Sequence, residues 1–401
     1  MTRRVVITGL GPISSIGTGA ASFHAGLLAG RSGVSPIASF DSSGFPHIMG
    51  GEVHDFAPES ILTRLDVQQW GRTSLFAAAA ARLAVHDAGL DEDVLRDARA
   101  WSCMGTTGGE SQVLEQLTHE SLTGGFAEVE GARFAQVPSS RLTSAVNQEL
   151  GLSGEAFTFS TACSASNYAV GYAFDAITAG ETDCVIAGGA DSVGRWSHAG
   201  FFRLGAIAEK QCRPFDKDRT GIITGEGGAA VVVEAYDHAV ARGARIYAEV
   251  LGYGVNCDAD HMTAPNKDSI VRCMQLAHAD AGVTAADIDY ISAHGTGTPA
   301  NDLTEGTAIT EVFEGAPPPV SSIKSMLGHT MGAASAFNVI ATMLAIEHSF
   351  LPPTINFSEV DPRIAGIDPV PNQARPATVK VAQVNGFAFG GNNAITIFGS
   401  L

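Results

Sequence analysis

The chain has 401 residues, more than one ordinary domain, so its length predicts either two domains or one large duplicated fold. Hydrophobic residues make up 45 % of the chain and charged residues 16 %, which supplies a large core and argues against intrinsic disorder. The 24 Lys and Arg against 42 Asp and Glu give a net charge of −18. A chain this acidic has no general attraction to nucleic acid or to anionic membranes, so neither is predicted as a partner.

The six cysteines are scattered, and none belongs to the Cys-x-x-Cys pair of a zinc knuckle or a thioredoxin-like redox site. This cysteine usage predicts a reduced, cytoplasmic environment. No segment approaches the roughly 20 consecutive apolar residues of a membrane span. The short apolar run Val5–Thr8 predicts a buried first strand rather than a secretion signal.

Apolar runs, small-residue segments and glycine stops predict an alternation of strands and helices. In chain order these are strand Val5–Thr8, helix Leu75–Ala88, a strand from Phe157 leading into helix Ser164–Ala179, strands Cys184–Ala187 and Ala229–Glu234, helix Ile270–Ala281 ending at Gly282, strand Ile288–Ser292, strand 320–323 leading into helix 332–345, and strand Ala394–Phe398. Such alternation favours an α/β fold with parallel, buried sheets covered on both faces.

Two distant segments share one pattern. Phe157–Cys163 runs from a strand into a helix rich in small residues, and Pro319–His329 does the same before a second such helix. Small residues let helices pack closely, which predicts that both helices are central and buried. The segments lie on either side of residue 240, so the sequence predicts a duplicated fold with halves 1–240 and 241–401.

Cys163 stands where a predicted strand passes into a predicted helix. A helix amino terminus carries partial positive charge and free N–H groups, which stabilise a thiolate and can bind a developing oxyanion. A single cysteine is more often a small buried hydrophobic residue. The strand-to-helix context nevertheless favours a nucleophile at Cys163, and the other five cysteines are predicted to be structural.

His294 follows a predicted strand and His329 precedes a predicted helix, and both are flanked by glycine. Glycine permits the close approach of a substrate's polar arm, and Thr296 and Thr298 could hydrogen-bond amides of that arm. Each histidine alone would more often be a satisfied structural residue. Metal binding is the rival interpretation, but the ligand spacing of a zinc site is missing, so no metal is predicted.

Two glycine-rich loops have structural interpretations. The long loop 213–228 carries Asp216, Arg219 and Glu226 but no Gly-Lys-Ser/Thr, so it predicts an ion-pair loop rather than a phosphate cradle. The turn Asn385–Asn393, with two phenylalanines, predicts a β-hairpin connection into the last strand. Near the amino terminus, Pro12 and a missing third glycine argue against a dinucleotide-binding turn.

Six motifs occur along the chain in a recognisable order. They are the Val-Val-Ile-Thr-Gly-Leu-Gly start, Thr161–Cys163 followed by serine, Arg213–Asp216, His294–Thr298, Lys324–Thr330 and the loop Phe387–Gly391. Together they resemble the elongating β-ketoacyl–acyl-carrier-protein synthases of the thiolase superfamily, over essentially the whole chain. The ketosynthases of type II polyketide and polyene systems belong to this group.

The resemblance implies a thiolase-like, duplicated five-layer α-β-α-β-α fold with two buried sheets. It implies that Cys163 accepts an acyl group from a carrier protein and that His294 and His329 stabilise the enolate formed when malonyl-carrier protein loses carbon dioxide. Lys324 would support His329 electrostatically. The further roles it implies are backbone N–H donors to the oxyanion at Cys163 and Phe389, gating side chains Phe389 and Phe201, and pantetheine contacts at Thr296 and Thr298.

The pattern of two histidines distinguishes this chain within the superfamily. Chalcone-synthase-like and acetyl-CoA-primed enzymes use Cys, His and Asn, and degradative thiolases use a second cysteine, for which neither Cys257 nor Cys273 has a suitable context. Chain-length-factor subunits lack the nucleophile that Cys163 supplies here. The resemblance implies no metal and no organic cofactor. The implied partners are an acyl carrier protein and a second subunit, either another copy or a homologue.

Several positions depart from the family pattern. Ala388 stands between the loop phenylalanines in place of glycine and tolerates positive φ poorly, so the loop is expected to move differently. Gly386 replaces a common serine, and Ser335 replaces a usual glycine. Asn338 replaces a usual glutamate while Glu305 is retained, which alters an internal charge network that sometimes holds a monovalent cation. Asn301, by contrast, resembles type II polyketide ketosynthases.

Carrier proteins are acidic, so docking needs basic residues. Candidates are Arg64, Arg72, Arg203 and Lys210. So small a set in an acidic chain predicts a specialised synthase with a restricted carrier partner, in a homodimer or a heterodimer. Two hypotheses remain: a catalytic condensing enzyme of fatty-acid or polyketide synthesis, and a non-condensing or heterodimer-dependent subunit that keeps the fold.

Overall fold

The computed structural model describes residues 3–401. Its strands are β1 (Val5–Ser14), β2 (Gly17–Thr18), β3 (Ser35–Pro36), β4 (Met49–Gly51), β5 (Trp101–Gly105), β6 (Ala156–Phe159), β7 (Cys184–Asp191), β8 (Thr224–Gly225), β9 (Gly227–Ala235), β10 (Ala248–Cys257), β11 (Tyr290–Ser292), β12 (Val320–Ser321), β13 (Phe350–Leu351), β14 (Arg375–Pro376), β15 (Val381–Phe387) and β16 (Asn392–Gly399). Its helices are α1 (Ala20–Leu28), α2 (Arg72–Asp87), α3 (Glu92–Asp97), α4 (Ser111–Gly124), α5 (Arg141–Leu150), α6 (Ala165–Thr178), α7 (Arg195–Arg203), α8 (Tyr236–Ala241), α9 (Lys267–Ala281), α10 (Pro299–Val312), α11 (Lys324–Leu327) and α12 (Ala334–His348).

Two arrays of five strands carry the fold, and they repeat one pairing order. The first runs β6-β5-β7-β9-β1 and the second β12-β11-β15-β16-β10. In each array the first two pairings are parallel and the last two antiparallel. Three antiparallel residue pairs between β1 and β10 join the arrays into one continuous sheet. The predicted thiolase-like pair of sheets is confirmed, with this added connection.

Alternating side chains on β9 separate two apolar cores. Val231 and Val233 pack against the central helices α6 and α12, whereas Ala230 and Val232 face α2 and α5 on the outside. A third core lies between the second array and the helices α9 and α10. The resulting order of helices, strands, central helices, strands and helices is the predicted five-layer arrangement.

Close approach between layers requires small residues. A Cβ added at Gly11 on β1 would lie 1.9 Å from the backbone oxygen of Ala80 on α2. Any larger residue there would push α2 away from the sheet, because the atom it meets is backbone. The central helix α12 is likewise buried from Ala334 to Ala345, as its small residues predicted.

The predicted elements are confirmed, with ends shifted by a few residues. The helix predicted to end at Gly282 does so, with Gly282 in the left-handed conformation. The first strand continues past Thr8 to Ser14, because both of its faces are buried. The segment 320–323 is a strand only to Ser321, since Ile323 already caps the short helix α11.

We propose that the chain divides into halves 1–240 and 241–401, a boundary at the last residue of α8. The repeated strand order supports this division. Within residues 3–401, no helix combines the length and the apolar composition that crossing a bilayer requires.

Candidate active site

Cys163 lies at the entrance of the central layer. Strand β6 ends at Phe159, and a 3-10 turn over Ala162–Ser164 continues directly into α6. Ala162 has a φ of 52°, in the left-handed region that alanine rarely adopts. Cys163 is only 5 % exposed, and its exposed part faces a cavity. The strand-to-helix context predicted from the sequence is therefore present.

The thiol of Cys163 is held in its neutral form. Burial raises the pKa of Cys163 to about 12, against the opposing charge of Lys324, and Asp191 adds to the rise. The helix terminus therefore does not bring the pKa of this thiol down to its ordinary value. The loss of hydration at the sulfur outweighs the helix terminus and Lys324 together, so the pKa of the thiol stays high.

His294 and His329 come together from different elements. His294 follows β11 and His329 follows α11, and their ring centroids are 5.6 Å apart at an angle of 82°. Burial, followed by the charge of Lys324, lowers the pKa of both rings well below the ordinary value. Both imidazoles are therefore neutral at physiological pH.

One hydrogen bond assigns the tautomer of His329. The backbone N–H of Met331 donates to His329 Nδ1 over 3.2 Å. Nδ1 is thus an acceptor, so the ring proton is on Nε2, which becomes a hydrogen-bond donor. His294 Nδ1 is also buried and has no hydrogen-bond partner among the described residues.

Lys324 sits behind the histidines. Its Nζ donates to the backbone oxygen of His294 over 2.5 Å. Burial lowers the pKa of Lys324, and the nearby carboxylate of Glu305 opposes that effect. Glu305 itself accepts the backbone N–H groups of His294 and Gly295 at 2.8 and 2.7 Å. This buried pair of charges holds the His294 loop from both sides.

A front cavity of about 70 Å³ collects most of the predicted site residues. Its lining includes Cys163, His294, His329, Thr296, Thr298, Phe201, Asn301 and Phe389. Lys324 is the exception, since it acts through the backbone of His294 rather than at the cavity surface. The hydroxyls of Thr296 and Thr298 are 2.9 Å apart along the wall.

A rear cavity of about 270 Å³ lies beyond the aromatic pair Phe201 and Phe389, whose ring centroids are 5.6 Å apart. Its lining is largely apolar and includes Trp196, Leu204 and Met331. Both rings of the pair line both cavities. The two rings are therefore part of the wall that the cavities share.

The loop that carries Phe389 is less strained at Ala388 than its sequence indicated. Its left-handed residues are Gly390 and Gly391, with φ of 84° and 76°, while Ala388 has no positive φ. The expectation of altered movement from backbone strain at Ala388 is therefore not supported. The loop connects β15 and β16 as the predicted antiparallel hairpin.

Comparison with known proteins decides the family. Residues 2–239 match the model of the β-ketoacyl synthase N-terminal domain, and residues 247–358 match that of the C-terminal domain. The chain belongs to the β-ketoacyl synthase family. This confirms the resemblance seen in the sequence motifs.

Relatives match this synthase from end to end. Nodulation protein E of Rhizobium sp. (strain N33) is 38 % identical over 99 % of both chains. A 3-oxoacyl-[acyl-carrier-protein] synthase 2 of Synechocystis sp. is 37 % identical over 99 % of this chain and 98 % of the relative. The solved structure of the ishigamide ketosynthase/chain length factor is 50 % identical, with a TM-score of 0.98 over the whole of both chains.

Sequence reasoning missed Asp191, a buried residue at the end of β7. Its carboxylate accepts from the hydroxyl of Thr106 and from the backbone N–H groups of Thr107, Gly108 and Gly332, at 2.7 to 2.9 Å. Burial raises its pKa to about 6 against these hydrogen bonds. An aspartate at the end of the apolar run of β7 was the available signal, but its partners come from two other segments, Thr106–Gly108 and Gly332.

The candidate docking residues differ in their surroundings. Arg72 forms an ion pair with the buried Glu226 over 2.6 Å and lies against the Phe76 ring, which is a structural role. Arg64 pairs with Glu92 at the surface. Arg203 and Lys210 are exposed, and Lys210 lies 3.7 Å from the carboxylate of the exposed Glu209.

The predicted ion-pair loop is confirmed, with partners outside the loop. Arg219 pairs with Asp361 over 2.7 Å. The carboxylate of Asp216 accepts from the backbone and hydroxyl of Ser358. The loop therefore ties the region after α7 to the segment that follows β13.

Hydrogen bonds within the protein fill much of the central network. Both oxygens of Glu305 accept N–H groups, from His294 and Gly295. Asn338 presents an amide that donates to the backbone oxygen of Ala293 over 3.0 Å. Among residues 3–401, no group of three or more His, Cys, Asp or Glu is arranged to hold a metal.

Proposed function

We propose that this synthase catalyses a decarboxylative Claisen condensation between an acyl thioester on Cys163 and malonyl-acyl-carrier protein. The observation that carries the proposal is one cavity in which a buried thiol faces two neutral imidazoles, with a buried lysine behind them. The products are β-ketoacyl-carrier protein and carbon dioxide. Metal ions take no part in the steps below.

In the first step Cys163 attacks the thioester of an acyl-carrier protein. The bond from the acyl carbon to the Cys163 sulfur forms, the bond to the pantetheine sulfur breaks, and the Cys163 proton passes to the released pantetheine thiol. Backbone N–H groups of Cys163 and Phe389 would bind the oxyanion, a role typically worth about 3 kcal/mol per donor. The acyl chain would pass Phe201 into the rear cavity.

In the second step malonyl-carrier protein loses carbon dioxide. The electrons of the broken carbon–carbon bond form an enolate, whose thioester oxygen would accept hydrogen bonds from His294 and from His329 Nε2–H. Neutral imidazoles suit this role because each can donate an N–H while leaving the enolate free to react. Thr296 and Thr298 would hydrogen-bond the pantetheine arm.

In the third step the enolate carbon attacks the acyl carbonyl on Cys163. The new carbon–carbon bond forms, the thioester bond to Cys163 breaks, and the sulfur takes up one proton from solvent, which balances the loss of the malonyl carboxylate as carbon dioxide. The high pKa of Cys163 makes the regenerated thiol stable, and the protein returns to its starting state. The only carrier group needed is the pantetheine on the substrates.

The partners we propose are an acyl carrier protein and a second subunit of the same fold. The name of the Synechocystis relative includes acyl-carrier protein, and the ishigamide structure is that of a ketosynthase/chain length factor. Exposed apolar residues near α4 and α7, including Leu122, Phe126 and Trp196, support a subunit interface there. Fatty-acid or polyketide synthesis as the pathway, and placement in the cytoplasm, stay predictions.

Intact-protein mass spectrometry tests the reaction. The synthase is incubated with acyl-carrier proteins of several chain lengths and then with malonyl-carrier protein. We expect an acyl mass on the synthase that requires Cys163, followed by its loss as the elongated product appears on the carrier. Acylation that persists in Cys163→Ala would contradict the assignment.

The alternative is a subunit that condenses only with a partner or not at all. The intact set Cys163, His294, Lys324 and His329 favours catalysis. If no donor acylates the isolated chain, the same assay on the chain co-expressed with a homologous ketosynthase-like subunit separates the two cases. Acylation that appears only then would assign a heterodimer-dependent synthase.

A further inference from the structure

The central helices α6 and α12 begin in the same way. Each is preceded by a 3-10 turn whose first residue is left-handed, Ala162 with φ 52° and Met331 with φ 51°. The second residue of the first turn is Cys163, and its equivalent in the second turn is Gly332. Three residues further along each chain segment stands a serine, Ser166 in α6 and Ser335 in α12.

The two serines contact each other's helix starts reciprocally. Ser166 Oγ donates to the backbone oxygen of Gly332. Ser335 Oγ donates to the backbone oxygen of Cys163 over 3.3 Å. Both side chains are buried, with 0 % and 1 % exposure, so neither hydroxyl has water as an alternative partner. Each hydroxyl thus joins its own helix to the turn of the other.

We propose that Ser166 and Ser335 form a reciprocal hydroxyl clasp that positions Cys163 against the start of α12. They are positioning residues, since neither contacts the reacting atoms, and the inference rests on the proposed role of Cys163 as nucleophile. The clasp links the nucleophile's turn to the turn that follows His329. Reaction at the thiol depends on this alignment, because small misplacements of reacting groups are costly in rate.

The other side of Gly332 is also held. Its N–H donates to Asp191 over 2.7 Å while its oxygen accepts from Ser166. The turn around Gly332 is therefore held in place on both sides. The hydrogen bond from Ser335 connects this turn to the backbone of Cys163. Without this hydroxyl, the Cys163 turn would rest on packing alone on that side.

Strand β15 leaves the space that Ser335 needs. A Cβ added at Gly386 would lie 2.6 Å from Ser335 Oγ. A side chain at 386 would therefore meet the Ser335 hydroxyl, so Gly386 leaves room for the contact between Ser335 and the backbone oxygen of Cys163.

The test measures the reactivity of Cys163 toward iodoacetamide as a function of pH, read by peptide mass spectrometry to separate it from the exposed Cys257. Ser335→Ala and Ser166→Ala should each slow alkylation at fixed pH by more than twofold and up to about tenfold, the range that one hydrogen bond supplies. Removal of one buried hydroxyl leaves the burial of Cys163 in place, so the apparent pKa of Cys163 should rise as its turn loses alignment with Lys324, the charge that opposes the effect of burial.

Gly386→Ser provides an independent variant. Its side chain should displace the Ser335 hydroxyl, so it should slow alkylation as Ser335→Ala does, and the two changes together should be no worse than either alone. Ser102→Ala is the matched control, since Ser102 is a buried serine whose hydroxyl donates to Asn147 away from the site. It should lower thermal stability without changing Cys163 reactivity.

A rate that is unchanged within twofold, or faster, in Ser335→Ala and Gly386→Ser would overturn the clasp. Additive losses in the double variant would also overturn it, because both changes are expected to remove the same contact. Alkylation by iodoacetamide requires no carrier protein. The effect of each variant on Cys163 reactivity can therefore be measured even if the proposed condensation reaction is not observed. If Ser166→Ala does not fold, Ser335→Ala and Gly386→Ser still test whether the clasp positions Cys163.

Discussion

Replacement of Lys324 by methionine tests the electrostatic core of the site. The change keeps the length of an apolar side chain and removes a charged donor 2.5 Å from the backbone oxygen of His294. A hydrogen bond from a charged group contributes about 1.5–3 kcal/mol. If that bond holds His294 in the transition state, decarboxylation of malonyl-carrier protein should fall about 10- to 150-fold.

The pH dependence of the same variant has a defined sign. Lys324 contributes to the lowered pKa of both His294 and His329. Removal of Lys324 should raise the pKa of both rings toward the ordinary value for histidine, so both rings become protonated at higher pH than in the unmodified synthase. Protonation of His329 at Nδ1 removes the acceptor of the Met331 N–H. The acid limb of the pH–rate profile should therefore move to higher pH in Lys324→Met.

Carbon dioxide release from malonyl-carrier protein, followed between pH 5 and 9, is the assay. Lys380→Met is the control, since Lys380 is exposed on the surface, and circular dichroism establishes that each variant is folded. A decarboxylation rate within twofold of the unmodified synthase, with an unmoved acid limb, would refute the argument that Lys324 acts through His294.

Three other outcomes follow from packing and charge. Phe389→Ala should join the front and rear cavities, so acyl-carrier proteins of different lengths should acylate the synthase at more similar rates; unchanged selectivity would contradict a gate. Arg72→Met should lower stability to urea by about 3 kcal/mol because it leaves Glu226 buried and unpaired, whereas Arg64→Met should cost less than about 1 kcal/mol. Gly11→Ala should lower stability by at least about 1 kcal/mol through the close backbone of α2, and an unchanged urea midpoint would show that α2 moves freely.

Much of the local structure could be predicted from the sequence. Apolar periodicity and the glycine stop placed α9 and its end at Gly282, and small residues predicted that α6 and α12 are central. The ends of strands were predicted less accurately. Strand β1, for example, continues to Ser14, whereas the sequence predicted that it ends at Thr8. Where a strand ends depends on its neighbours in the sheet, and those neighbours come from distant parts of the chain.

The residues of the candidate site also divide into those that could be predicted from the sequence and those that could not. Cys163, His294 and His329 could be selected from their glycine-rich or strand-to-helix context, and the structure brings them to one cavity. Asp191 and Ser166 could not be selected, because each is an ordinary polar residue until its partners are known. The ion pair of Arg72 with Glu226 could not be predicted either, since the two residues lie 154 positions apart.

The residue types of the site, the order of the elements and the likeness of the two halves all follow from the amino-acid sequence. The tertiary structure alone decided the protonation states. The thiol of Cys163 and the rings of His294 and His329 are neutral because layers from both halves of the chain remove their water. Desolvation depends on everything packed around a group, and no local pattern of residues contains that information.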